Sequence, residues 1–175
     1  MLTNIIFKVK LTQKFTPNLR IVNSSSTVNC NPLSDFSFKI KPNVSVYCAN
    51  TDPKVIMDST LAEIFIKFKC NSGDNSFCDL YNVSFLHCGD QNGTKSFLHE
   101  TKSSNNTLGQ ITSYTAQLGS QYCTHVYSIF IMKDTAKILQ CDKLGIIVIE
   151  VIEYNEFFVV VVEFFHCYLA LGGIT

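Results

Sequence analysis

The sequence lacks clusters of basic residues. Its 175 residues carry 14 lysines and arginines and 14 aspartates and glutamates, so the formal net charge is zero. Proteins that follow a phosphate backbone display a basic patch or stripe. We therefore do not expect nucleic acid as a partner. The length is that of one domain with tails, which is enough to bury a core.

Short motifs of known catalytic sites are also missing. The sequence contains no P-loop, no GxSxG and no HExxH motif. His87-Cys88 begins like the His-Cys-x5-Arg loop of tyrosine phosphatases, but Thr94 stands where that loop needs its phosphate-binding arginine. His87 and His125 lack a third ligand that would complete a metal site, which favours simple packing. We expect no enzyme activity, no cofactor and no metal site.

Cysteine pairs at zinc-ligand spacing are absent, although the chain has eight cysteines. Structural zinc sites usually contain C-x2–4-C pairs, and the closest cysteines here, Cys70 and Cys78, are farther apart. An even number of cysteines in a loop-rich chain is typical of disulfide-bonded proteins from oxidising compartments. A disulfide framework is therefore the favoured interpretation.

Asparagine sequons indicate the same compartment. Five N-x-[ST] sites are present, where chance would supply about two: Asn23, Asn43, Asn82, Asn92 and Asn105. The start of the chain shows no secretory signal, because Lys8 interrupts its short apolar run. We therefore expect a location on the extracellular face of the plasma membrane, or secretion, from the cysteines and sequons alone. Whether the chain is a fragment, a mispredicted start or a splice form stays open.

Alternating apolar and polar residues predict β-strands between residues 42 and 141. Such alternation is typical of half-buried antiparallel strands, and we see no helical period of 3.6 in this region. Polar turns separate the segments. The predicted strands are NVSVYC, EIFIKFKC, YNVSFLH, SYTAQL, YCTHVYSIFIM and AKILQC. The pattern predicts an all-β fold, a seven-stranded antiparallel immunoglobulin-like sandwich with irregular tails.

The two ends differ from this region. Residues 1–41 are rich in Ser, Thr and Asn, which predicts a flexible lead-in to a domain at residues 42–142. Residues 143–175 are very apolar but contain four glutamates, too many for a membrane-spanning helix. A weakly membrane-associated amphipathic segment, an aggregation-prone strand and a non-native end are the alternatives. We favour the non-native end and expect low order in residues 145–175.

The strand pattern resembles that of fibronectin type III domains. Three stretches carry the resemblance: Tyr81-x-Val83-x-Phe85 for strand C, Tyr114-x-Ala116-x-Leu118 for strand E, and Tyr122-x-Thr124-x-Val126-x-Ser128 for strand F. The chain has no tryptophan, so Phe68 would take the place of the usual core residue of strand B. The resemblance implies a core of Phe68, Tyr81, Val83, Phe85, Leu118, Tyr122 and Val126.

A narrower match involves the segment FCDLYNVSFLHCGD at residues 77–90, followed by Tyr122-Cys123. It is similar to the ectodomain modules of the leukocyte common antigen family of receptor-type tyrosine phosphatases. The catalytic domain of that family is not contained in this chain. Under the resemblance, Cys88 ends strand C and Cys123 begins the neighbouring strand F, which allows a disulfide.

Two arrangements compete for the other disulfides. The geometry of such a domain allows Cys70–Cys78 together with Cys48–Cys141, whereas the family pattern suggests Cys48–Cys78. Sequence alone does not decide the connectivity.

These observations predict a non-catalytic, glycosylated binding or spacer module of a cell-surface receptor. Its partner would be a protein ligand or a neighbouring receptor domain, with glycans contributing, and a membrane would be reached only through a missing or atypical segment. The alternative is a secreted cytokine-receptor-like or viral decoy protein. That alternative requires an exposed aromatic binding patch, for which Tyr47 and Phe65 are the candidates.

Overall fold

The described part of the chain forms a six-stranded mixed sheet and two helices. The computed structural model describes residues 16–26, 42–52, 58, 61–78, 97–99, 101–119, 125–142, 144–149 and 151–170. The strands are β1 (Leu19–Asn23), β2 (Val44–Cys48), β3 (Ile64–Phe68), β4 (Val126–Ile131), β5 (Ala136–Cys141) and β6 (Ile146–Val148). The helices are α1 (Lys102–Gly119) and α2 (Phe158–Ala170), and a 3-10 turn spans Ser72–Asp74.

The strands lie in the sheet in the same order as in the chain. Neighbouring strands are antiparallel, except that β3 and β4 are parallel, with Ile64 opposite Tyr127 and Phe68 opposite Ile131. A parallel pair needs a long crossover connection, and the segment between these two strands contains α1. The expectation of antiparallel strands only is wrong at this pair.

The central strands of the sheet are buried on both faces. On the face that packs against α2, here called the α2 face, Val46, Ile64 and Ile129 lie under Val161 and Phe165. On the opposite α1 face, Tyr47, Phe65, Phe130 and Leu139 lie under Ile111 and Tyr114. The sequence predicted the alternation of β2 and β3 correctly, but both sets of side chains are buried. The proposed exposed patch of Tyr47 and Phe65 is therefore wrong, since each is 1% exposed.

Two lysines on the α1 face have their ammonium groups placed against aromatic side chains. Lys67 donates from Nζ to the Tyr114 hydroxyl at 3.3 Å. Lys137, although buried, donates from Nζ to the Phe77 carbonyl at 3.2 Å and lies 5.7 Å from the centre of the Phe77 ring. Hydrogen bonding and cation–π contact offset part of the cost of burying these charges.

Helix α1 occupies residues that the sequence assigned to a turn and to strand E. Thr101 caps its first turn, because the Thr101 Oγ1 accepts from the Ser104 amide and the Ser104 Oγ accepts from the Thr101 amide. This is a reciprocal capping arrangement with serine in place of the usual glutamate. Along the helix, Thr107, Ile111 and Tyr114 form its buried side. The strand predicted at residues 113–118 is therefore wrong.

Both chain ends contribute to the sheet. The lead-in supplies β1, which pairs along its whole length with β2. The apolar tail supplies β6 and α2, and Ile152 forms an isolated bridge with Ala136. The prediction of low order in residues 145–175 is wrong for these elements, because α2 buries Val161 and Phe165 in the core of the α2 face.

The remaining predicted core positions are only partly described. Val126 is buried on the α1 face, and Phe68 is half-buried against the core of the α2 face. Tyr81, Val83, Phe85 and Tyr122, and the side chain of Leu118, lie outside the described residues. The described residues form one sheet. The two-sheet sandwich of seven strands therefore stays a prediction.

We expect Phe65→Ala to destabilise the fold by about 3–5 kcal/mol, because it leaves a cavity beneath Tyr114. Phe157→Ala is the matched control, since Phe157 is 56% exposed and its loss should change stability by less than about 0.5 kcal/mol. Urea unfolding of both variants measures the difference. Equal destabilisation would contradict the assignment of Phe65 to the core.

Gly109→Ala should stabilise the protein by about 0.5–1 kcal/mol. Gly109 lies within α1, and a Cβ added there meets no atom within 4 Å. Alanine therefore removes the entropic cost of glycine without a steric cost. A lower midpoint of urea unfolding for the variant would argue against a helix at this position.

Candidate functional site

The parallel pairing of β3 and β4 brings their first residues to one edge of the sheet. Glu63 directly precedes β3 and His125 directly precedes β4. Helix α2 crosses the α2 face and reaches the same edge with its last turn. There the Tyr168 hydroxyl donates to the Glu63 Oε2 at 2.8 Å, joining residues 105 positions apart.

Aromatic rings surround this hydrogen bond. Tyr127 of β4 lies edge-on to Phe164 and Tyr168, with ring centres 5.4 Å and 5.7 Å away. The His125 ring lies edge-on to Tyr127 at 5.3 Å. We call these five residues, Glu63, His125, Tyr127, Phe164 and Tyr168, the aromatic–acid cluster. Ring centres at this separation are in contact, so a ligand would lie on the outer side of the rings.

The carboxyl group of the aromatic–acid cluster is in an unusual environment. Partial burial raises the pKa of Glu63 above its ordinary value of 4.5, and the hydrogen bond from Tyr168 opposes this shift. A partly desolvated carboxylate beside aromatic rings can accept a cation from a partner, because both attract positive charge.

Exposed apolar side chains are concentrated in a different part of the chain, between the β5–β6 hairpin and the first turn of α2. Nine large apolar side chains are exposed among the described residues, and six of them lie between residues 144 and 160: Leu144, Ile147, Ile149, Phe157, Val159 and Val160. Leu144 is 97% exposed and Val159 is 64% exposed. Gln140 is two residues after Ile138 on β5 and therefore lies on the same α2 face. Ile147 is paired with Gln140, so the side chain of Ile147 is also on the α2 face.

Carboxylates accompany the exposed apolar side chains. Glu153, Glu156 and Glu163 are all exposed. We call these three glutamates and the six apolar residues the acidic apolar surface. Its residues extend along the sequence from the β5–β6 hairpin to α2. The aromatic–acid cluster lies at the C-terminal end of α2.

The disulfides expected at Cys48, Cys70 and Cys141 are not formed. Cys48, Cys70, Cys141 and Cys167 are free thiols, whereas Cys78 is disulfide-bonded. The bridges Cys70–Cys78, Cys48–Cys141 and Cys48–Cys78 are therefore not formed. Cys88 and Cys123 lie outside the described residues.

The environment of one of these free thiols, Cys141, is described in detail by its contacts. This residue ends β5 beneath α1, where the Thr115 hydroxyl donates to its Sγ at 3.5 Å. Burial raises the pKa of the Cys141 thiol, so the nucleophilic thiolate is disfavoured. It behaves as a small core residue.

The predicted glycosylation sites differ in exposure. Asn23 and Asn105 are exposed, but Asn43 is half-buried, and its Oδ1 accepts from the Phe68 amide at 2.9 Å. The expectation that Asn43 points freely to solvent is therefore wrong, because its side chain links β2 to β3. Asn82 and Asn92 lie outside the described residues.

Two further properties of the described residues bear on the site. No group of three or more His, Cys, Asp or Glu side chains among them is placed to hold a metal ion. None of the helices in the described part of the chain is long and apolar enough to cross a membrane.

Comparison with known proteins gives no relative. No family model, no curated protein and no solved structure matches the chain. The resemblance to fibronectin type III domains stays a prediction.

Sequence reasoning missed Glu63, Phe164 and Tyr168. The spacing between Glu63 and Tyr168 gives no local signal, since their contact depends on where α2 crosses the sheet. A useful hint was present in the tail, where apolar residues recur at Val161, Phe165 and Tyr168 with helical spacing. His87, the expected neighbour of His125, lies outside the described residues.

We expect the Glu63 carboxyl carbon to titrate above its ordinary pKa in a 13C NMR experiment. Tyr168→Phe removes the hydrogen bond that stabilises the charged form, so the Glu63 pKa should rise further. An unchanged or lowered pKa in this variant would contradict the contact between α2 and Glu63.

Glu63 should also make stability depend on pH. Folding raises the pKa of Glu63. The protonated side chain therefore contributes to the free energy of unfolding fully below pH 4.5, and this contribution is lost as the pH rises through the folded-state pKa. Urea unfolding can be measured from pH 4.5 to above the folded-state pKa of Glu63. Over this range the free energy of unfolding of the Glu63→Gln variant should fall less than that of the original protein. Parallel curves for the two proteins would refute this role of Glu63.

Alkylation should separate the cysteines by exposure. In a brief iodoacetamide pulse on the folded protein, Cys70 and Cys167 should react because both are exposed, and Cys141 should react only after unfolding. Cys78 should need prior reduction. Peptide mapping by mass spectrometry measures each site, and rapid labelling of Cys141 would contradict its burial beneath α1.

Proposed function

We propose that the chain is a non-catalytic domain that binds another protein through the acidic apolar surface. The concentration of exposed apolar side chains between Leu144 and Val160 is the observation that carries this proposal. Monomeric soluble proteins rarely expose extended apolar patches, and rimmed patches often mark interaction sites. Burial of Val159, Val160 and Phe157 by a partner would remove this area from water.

The position of α2 supports a binding role for its outer side. Its inner side is anchored by Val161 and Phe165, and by the Tyr168–Glu63 hydrogen bond near its end. A helix held in place presents its outer side chains without a large further loss of conformational freedom on binding. The surface is therefore preorganised for a partner.

We further propose that the domain is displayed outside the cell as a glycosylated module of a receptor. Exposed Asn23 and Asn105 support this placement, since glycans at both positions are sterically allowed. The partner would be a protein ligand or a neighbouring domain of the same receptor. Kinship with fibronectin type III modules of receptor phosphatases, including their two-sheet sandwich, remains part of the proposal and rests on the sequence pattern.

A photo-crosslinking experiment tests the binding role. A photoreactive phenylalanine at Val160 should crosslink to a second protein in the cells that make the chain. The same residue at Thr112, exposed on α1 at the opposite face, should not yield that product. Identical products from both positions, or none from Val160, would count against the proposed surface.

Intact mass after expression in a secretory host tests the location. We expect glycan mass at the exposed Asn23 and Asn105, removed by peptide N-glycosidase F, and none at Asn43, whose side chain is half-buried. Secretion without glycan on any asparagine would contradict the proposed extracellular module. The protein-binding role would then be tested by the crosslinking experiment alone.

A further inference from the structure

Helix α2 exposes apolar side chains on its outer side, beside the exposed Glu163 and His166. Val161 and Phe165 are in the core, while Val159 and Val160 are exposed on the side away from the sheet. Large exposed apolar side chains with polar neighbours often mark interaction sites. The outer side of α2 therefore fits burial against a second surface.

The charge on this part of the chain has one sign. Residues 144–175 contain four glutamates and no lysine or arginine, although the whole chain is neutral. Glu153, Glu156 and Glu163 are exposed. A partner that covers the apolar side chains must lie beside these carboxylates, and positive charge on the partner would be favoured there.

The aromatic–acid cluster extends the same preference to the far end of α2. Tyr127, Phe164 and Tyr168 are half-buried rings, and the carboxylate of Glu63 accepts a hydrogen bond from the Tyr168 hydroxyl. Aromatic faces and a carboxylate attract an ammonium or guanidinium group. Val159 and Tyr168 lie near opposite ends of α2, and the whole helix of 13 residues is about 20 Å long.

We propose that the acidic apolar surface binds a basic amphipathic protein segment, whose apolar side chains cover Val159 and Val160 and whose lysines or arginines face Glu156 and Glu163. This inference rests on the proposed protein-binding function and specifies the chemistry of the partner. Anionic lipid is disfavoured because its headgroups would meet the same carboxylates.

The test uses designed peptides of about five helical turns as probes. One is an amphipathic Leu–Lys peptide, and the other has glutamate at every lysine position. Fluorescence anisotropy with the full chain should show binding of the Leu–Lys peptide at least about tenfold tighter than the Leu–Glu peptide. The affinity should fall between about 50 and 200 mM NaCl, because exposed charges are screened.

Matched variants separate this surface from general charge attraction. Glu156→Gln/Glu163→Gln and Asn106→Lys/Thr112→Lys each raise the net charge by two, but the second pair lies on exposed positions of α1. We expect the first variant to weaken Leu–Lys binding about three- to tenfold and the second to weaken it less than about twofold. Val159→Thr/Val160→Thr should weaken binding while the shape of the helix is retained.

Each other outcome overturns the inference in a distinct way. Equal binding of both peptides, or equal effects of the two charge variants, would refute a basic partner and leave the protein-binding function in place. Dimers in light scattering that Val159→Thr/Val160→Thr dissociates would identify a second copy as the occupant. Flotation with neutral phosphatidylcholine vesicles would identify lipid. Failure of all probes together with no crosslink at Val160 would refute the proposed function itself.

Discussion

The parallel contact between β3 and β4 is the constraint on which the rest of this structure depends. It places two central strands side by side, and both of their faces carry large apolar side chains, such as Ile64 and Phe65. Such strands need cover on both faces. Helix α1 provides cover on one face and α2 on the other, and the same arrangement brings Glu63, His125 and Tyr168 to one edge.

Sequence patterns were sufficient for the strands that alternate strongly. The predictions at β2, β3 and β5 coincide with described strands, and β4 forms most of its predicted segment. The pattern did not reveal that Ser45, Tyr47 and Lys67 also lie against protein, because a polar residue in an alternating strand normally indicates solvent. Burial of these residues depends on α1, which is remote in sequence.

Helix α1 was hidden for a specific chemical reason. Its buried side includes Ser104 and Thr107, so the helical period contains few apolar residues. The Ser104 hydroxyl donates to the Thr101 carbonyl, and the Thr107 hydroxyl donates to the Ser103 carbonyl. Serine and threonine also satisfy the capping positions that glutamate would mark more clearly. The alternation of Tyr114, Ala116 and Leu118 then imitated a strand. For α2 the obstacle was different, since its continuous apolar sequence fits a strand, a helix or a tail equally well.

The agreement between strand order in the chain and in the sheet has a kinetic consequence. Strands β1 to β3 and strands β4 to β6 form two antiparallel groups, and among the described strands it is the β3–β4 pairing that joins the two groups. Connections of a few residues close quickly, whereas a long crossover has a larger entropic cost. The β4–β6 group, with its two short turns, can therefore form as an early folding unit. Docking of the two groups would be the slower event that completes both sides of the core.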